Sequence, residues 1–127
     1  PTLSFWQEIM ATKSNIILEK SFDFSIKIIH LFKLLSAEKE FIISKQLLRS
    51  ATSIWANLTE SNAGQSRKDF LHKVSISHKE ANETLYRLRL LEKSKLVDLD
   101  YSEYIKDIRE ILAILTKIIL TTKENMN

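Results

Sequence analysis

Residues 46–70 read QLLRSATSIWANLTESNAGQSRKDF. Leu47, Ala51, Ile54 and Leu58 recur every three or four positions, the spacing that aligns side chains on one face of an α-helix. The rhythm runs into Asn62-Ala63-Gly64, residue types suited to a left-handed helix terminus. Ser66, with Asp69 three places on, then supplies the N-cap of a new helix. Helix, tight turn and helix together predict an antiparallel pair. Between the apolar positions lie Arg49, Ser53, Asn57 and Glu60 at steps of four, four and three, so they form a polar stripe beside the seam.

The same rhythm extends in both directions. The second helix of this pair reaches from about Ser66 to Lys93 through Phe70, Val74, Ser77, Ala81, Leu85 and Leu88. Its small Ser77 and Ala81 fall opposite Ala51, which predicts close approach of the two axes. Its partner begins near Phe41 and ends near Asn62. Upstream, Ile17, Phe22, Ile26, Ile29 and Phe32 predict a long helix over about Ser14 to Leu35, with Phe24, Ile28, Leu31 and Leu35 widening its face. Downstream, after a polar stretch from Ser94 to Asp100, Tyr101, Tyr104, Ile108, Ile111, Leu115 and Ile118 predict a fourth helix. Its additional Ile105, Leu112, Ile114 and Ile119 make a face wide enough for self-association or for a deep core. A chain with a single glycine and a single proline is poorly supplied for β-turns. The expected fold is therefore all-α, an antiparallel up-down-up-down four-helix bundle over residues 15–127, preceded by an N-terminal extension over residues 1–14.

The 127 residues suffice for one domain with a real core, and 44% hydrophobic with 28% charged residues exclude a disordered chain. The absence of cysteine removes disulfides, thiolate nucleophiles and cysteine-based metal sites, and fits a reducing compartment. No apolar run approaches the roughly 18 residues of a membrane span, and PTLSFWQEIM lacks a cationic start followed by an apolar core. The expectation is a soluble, cytoplasmic protein with no membrane partner. A net charge of +3 permits anionic partners without demanding them.

Three segments carry a family resemblance: EKSFDFSIKII (residues 19–29), FIISKQLLRSATSIWANLTES (residues 41–61) and SRKDFLHKVSISHKEANETLYRLRLL (residues 66–91). Over about Asn15 to Thr122 the chain resembles the bacterial four-helix-bundle family of 23S rRNA intervening-sequence proteins. The resemblance implies a small helical bundle, encoded in many members within an insertion in the large-subunit ribosomal RNA gene, that assembles as a homo-oligomer, a pentameric ring. A related branch serves diversity-generating retroelements by binding nucleic acid and a reverse transcriptase. Both branches imply an RNA or DNA partner. In runs resembling RSGTSIGAN the family places glycine where this chain has Ala51 and Trp55. Trp55 therefore marks either an open surface or a neighbouring helix displaced outward.

Arg67, Lys68, Lys73, Lys79, Arg87, Arg89, Lys93 and Lys95 outnumber Asp69, Glu80, Glu83 and Glu92 on and just after the third helix. Such cations bind phosphates when they share a face, and Trp55, Tyr86 and Trp6 are rings on which bases could stack. The candidate nucleic-acid contacts are Arg49, Arg67, Lys68, Lys73 and Lys79. Ser53, Asn57, Glu60, Glu80 and Glu83 form the expected structural polar network, with Arg49 opposite Glu80 or Glu83. No catalytic residues, cofactor or metal are expected. Paired carboxylates need a pocket and a raised pKa for acid–base work, and His30, His72 and His78 lack the Glu-x-x-His spacing of di-iron bundles. The overall expectation is a non-enzymatic, self-associating bundle that binds RNA or other nucleic acid, with a protein-interaction scaffold, or a retroelement accessory protein that binds a reverse transcriptase, as the alternative.

Overall fold

The computed structural model describes residues 5–61 and 66–126. Four helices make up the regular structure of these residues: α1 (Phe5–Ala37), α2 (Ile42–Glu60), α3 (Arg67–Ser94) and α4 (Ser102–Glu124). Each packs against its sequence neighbours, and α4 closes onto α1, so the four helices form a closed bundle. Every adjacent pair runs antiparallel. Arg49 meets Glu80 while Glu60 meets Lys73 across α2 and α3. Lys20 meets Glu110 while Lys27 meets Glu103 across α1 and α4. The Asn62-Ala63-Gly64 turn lies outside the described residues.

The Ser66 cap forms as its spacing predicts: the hydroxyl accepts from the Asp69 amide at 3.1 Å. The start of α2 uses a device that the short polar linker conceals. Glu40 is buried, and its carboxylate accepts from the amides of Ile42, Ile43 and Ser44 at 3.1, 3.2 and 2.7 Å. Three of the four amides left open at a helix start are thus satisfied by one anion at the positive end of the dipole. Lys39, at φ 63°, ends α1 in the left-handed turn that helix termini favour, with the Glu40 amide bonding back to the Leu35 carbonyl at 2.9 Å.

On α1 the buried seam is Trp6, Met10, Ile17, Ser21, Phe24, Ile28, Leu31 and Leu35. This corrects the expected face in two respects. Phe22, Ile26 and Ile29 lie outside the seam, exposed by 50, 43 and 41%. The helix also starts at Phe5 instead of near Ser14. The antiparallel register explains the second difference: α2 has 19 residues against 33 in α1, so the first turns of α1 run past its end. There Trp6 reaches across the bundle to Phe70, ring edge to ring face at 5.2 Å, and takes the Arg67 guanidinium over its indole at 5.0 Å.

At the α2–α3 seam the small residues do bring the helices close. Ala51 and Ala81 are fully buried, the Ser77 hydroxyl donates to the Ile54 carbonyl at 3.0 Å, and Thr84 donates to the Ser50 hydroxyl at 2.8 Å. Trp55 points outward from α2, 38% exposed, with its ring 5.8 Å from that of Phe22. The bulky ring is therefore accommodated on an open surface. The surplus apolar residues of α4 join the core: Ile105 is buried, and Leu112, Ile114 and Ile119 are partly buried against it.

Candidate functional site

The polar stripe of α2 is tied down. Arg49 contacts Glu80 at 3.3 Å and Glu83 at 3.2 Å, and Lys73 contacts Glu60 at 2.7 Å. Glu83 also faces Arg87, whose side chain is mostly buried with Nη1 at 3.6 Å. Ser53 and Asn57 do not join this ionic set. Their side chains return to their own helix, donating to the carbonyls of Arg49 and Ser53 at 2.7 and 2.8 Å. Arg67 lies over Trp6 and also donates to the Asn125 carbonyl at 2.6 Å. Of the five cations singled out from the sequence, Arg49, Lys73 and Arg67 thus have protein partners.

Lys68 and Lys79 belong to a different arrangement. Lys68, His72, Ser75, Lys79, Asn82, Tyr86, Arg89 and Lys93 follow one another at alternating steps of four and three, and all eight are exposed. Such spacing keeps side chains on one face of a helix. This outer stripe of α3 contains no carboxylate, and its four cations form no ion pair among the described residues. At 1.5 Å per residue it runs about 37 Å from Lys68 to Lys93. The acidic residues of α3 lie off it: Glu80 and Glu83 turn towards Arg49, while Asp69 and Glu92 flank the stripe near its ends.

Three acids of α4, Glu103, Asp107 and Glu110, are similarly withdrawn. Lys27 of α1 is held by Asp107 and Glu103, both at 2.8 Å, and Lys20 by Glu110 at 3.2 Å. The hydrogen bonds that the Lys27 ammonium donates to Asp107 and then Glu103 hold its pKa well above the usual lysine range. Lys106 and Arg109 of α4 are exposed and sit with Glu92 around a shallow concavity between α3 and α4.

His78 joins the two helices at the edge of the stripe. Its Nε2 lies 3.0 Å from the Thr116 hydroxyl and its Nδ1 3.3 Å from the Asn82 carboxamide nitrogen. Burial lowers its pKa from the ordinary imidazole value, which suits a neutral ring with Nδ1 accepting from Asn82. Arg89 and Lys93 stand in the sequence among the excess cations of the third helix and Tyr86 among its possible stacking rings, but the sequence assigns none of them, nor Asn82, to a shared face. The signal that isolates them is the strict heptad counted from Lys68, which becomes meaningful once the opposite face is known to be core. No group of three or more potential metal ligands occurs among the described residues, and no described helix is long and apolar enough to cross a membrane.

The fold and this surface define a small four-helix bundle with one cationic outer helix face. Residues 13–117 match the model of the 23S rRNA-intervening sequence protein family, and the chain belongs to that family. A protein of unknown function from the S23 ribosomal protein family of Bacteroides thetaiotaomicron, known from a crystal structure, is 44% identical. The match covers 85% of this chain and 98% of that one, with a TM-score of 0.78. No protein of curated function matches the chain.

Proposed function

We propose that this protein is a non-enzymatic nucleic-acid-binding bundle whose contact surface is the outer face of α3, with RNA as the preferred partner. The observation that carries this reading is the run of eight exposed stripe residues, four of them cationic and none acidic. Six nearby carboxylates are engaged elsewhere, Glu60 with Lys73, Glu80 and Glu83 with Arg49, and Glu103, Asp107 and Glu110 with Lys27 and Lys20, which leaves Asp69 and Glu92 flanking the stripe only near its ends. A row of unpaired cations attracts a polyanion and releases its counterions on contact. The name of the family, which refers to an intervening sequence of 23S rRNA, favours RNA among polyanions.

Contact of Lys68, Lys79, Arg89 and Lys93 with four phosphates gives log K a slope of about −3 against log salt on a single strand, since each phosphate contributes about −0.7. Titrating binding to a single-stranded RNA by fluorescence anisotropy over a range of salt concentrations measures that slope. A slope near zero would refute the reading.

A second property is supported by a different surface. Phe22, Ile26 and Ile29, spaced by four and three, line one exposed face of α1, and Trp55 continues it onto α2 through its contact with Phe22. An apolar row of this kind, on the far side of α1 from its buried seam, favours self-association of the bundle, with the pentamer as the proposed assembly.

A further inference from the structure

Towards the C-terminal half of α3 the stripe is not uniformly cationic. Asn82, Leu85, Tyr86, Arg89, Leu90 and Lys93 line a shallow depression of about 400 Å³. Tyr86 is 62% exposed and Leu90 37%, so its lining offers an open aromatic ring and an aliphatic surface. Arg89 and Lys93 stand at the same place as exposed cations. Asn82 adds a carboxamide whose nitrogen is held 3.3 Å from His78 Nδ1, while His78 is in turn anchored to Thr116 of α4. The carboxamide is thereby positioned from the neighbouring helix.

We propose that this depression is a base-binding subsite, in which an unstacked base of a single-stranded segment lies against Tyr86, its edge meets Asn82, and its flanking phosphates meet Arg89 and Lys93. The proposal rests on the reading of α3 as a phosphate-binding face and specifies the form of nucleic acid that the face takes. A duplex keeps its bases stacked inside, so it could use the cations but leave the exposed ring and aliphatic floor unoccupied. A single strand has π-faces to place on the ring, and base stacking on an aromatic side chain does not require a particular base. RNA-binding surfaces that recognise loops and ends combine the same elements: an aromatic plane, a hydrogen-bonding group at the base edge and cations for the backbone. Lys79 and Lys68 lie about 10 Å and about 27 Å along the helix from Tyr86, where they extend the phosphate track beyond the stacked nucleotide.

The test compares the full chain with Tyr86→Ala, Tyr86→Phe and the double variant Arg89→Glu/Lys93→Glu. Three probes are used in fluorescence anisotropy: a mixed-sequence single strand, the same strand annealed into a blunt duplex, and an abasic strand of equal length. Circular dichroism checks that these exposed positions leave the helices intact. The wild type is expected to bind the single strand at least about 10-fold more tightly than the duplex. Tyr86→Ala is expected to lose on the order of 10-fold on the base-bearing strand and nothing on the abasic strand. Tyr86→Phe, which keeps the ring, should bind like the wild type, whereas the double charge reversal should weaken all three probes. Unchanged binding by Tyr86→Ala, equal loss on the abasic strand, or a duplex bound as tightly as the single strand would overturn the base-binding subsite. In those cases persistent salt-dependent binding that the charge reversal weakens would leave the phosphate-binding face standing. Absence of salt-dependent binding to every probe would remove that face and the subsite together.

Discussion

His78 shows how much a single residue's role depends on what surrounds it. In the sequence it is a histidine without metal-ligand spacing. In the fold it spans Thr116 and Asn82 at 3.0 and 3.3 Å, and burial holds its pKa below the ordinary 6.5. The unfolded chain therefore binds a proton more readily than the folded one. Its contribution to stability is present above pH 6.5 and is lost as pH falls through the folded pKa. Lowering pH from about 7.5 to about 5.5 is expected to reduce the denaturation midpoint of the wild type more than that of His78→Gln; identical pH dependence would remove this role. Glu40 is the complementary case. Its place in a short polar linker conceals a carboxylate that closes three helix amides, because capping depends on backbone geometry that spacing alone does not specify. The Arg49 contacts with Glu80 and Glu83 were more accessible to sequence reasoning, since an antiparallel pair matches positions by distance from the turn.

At the scale of the element, periodicity located all four helices, and the paired small residues located the close seam at Ala51, Ser77 and Ala81. It was ambiguous for α1, where apolar residues occupy more than one face. The seam follows the 17-21-24-28-31-35 positions, and the polar Ser21 within it disguises the register. Lys13 and Ser14 interrupt the pattern further upstream, which separates Trp6 and Met10 from the helix they belong to. The structural remedy is the shortness of α2, which leaves apolar surface for these two residues to cover. Trp6, only 3% exposed, is in contact with Phe70 and Arg67. Trp6→Ala is expected to cost about 3 kcal/mol in equilibrium urea unfolding, the scale of a large buried ring removed. A loss below about 0.5 kcal/mol, the ordinary range of a surface substitution, would show that the first turns of α1 contribute nothing to the bundle.

The whole molecule divides its surface by chemistry. One side presents Phe22, Ile26, Ile29 and Trp55, and α3 presents the cationic stripe on its own outer face. If the apolar row joins copies, Phe22→Glu places a charge in the contact. The variant should sediment as a smaller species than the wild type while retaining its helical circular dichroism; an unchanged sedimentation coefficient would exclude this row from the assembly. The cationic stripe was legible in the sequence as a basic excess on the third helix, but not as a site, because the excess mixes two populations. Arg67, Lys73 and Arg87 turn to protein partners, whereas Lys68, Lys79, Arg89 and Lys93 do not. Only the packing of the bundle sorts one from the other.

That sorting is the central claim, and it is tested most directly by charge reversals that alter net charge equally at two places. Lys79→Glu/Arg89→Glu changes the outer stripe, and Arg49→Glu/Lys73→Glu changes the ion-paired set. With both variants confirmed as folded, RNA affinity at a single low salt concentration is the decisive measurement. The stripe variant is expected to bind at least about 10-fold more weakly than the wild type, as loss of two charge-assisted phosphate contacts implies, and the ion-pair variant within about 3-fold of it. Equal losses in the two variants, or a greater loss in the second, would contradict the assignment of the outer face of α3 as the binding surface.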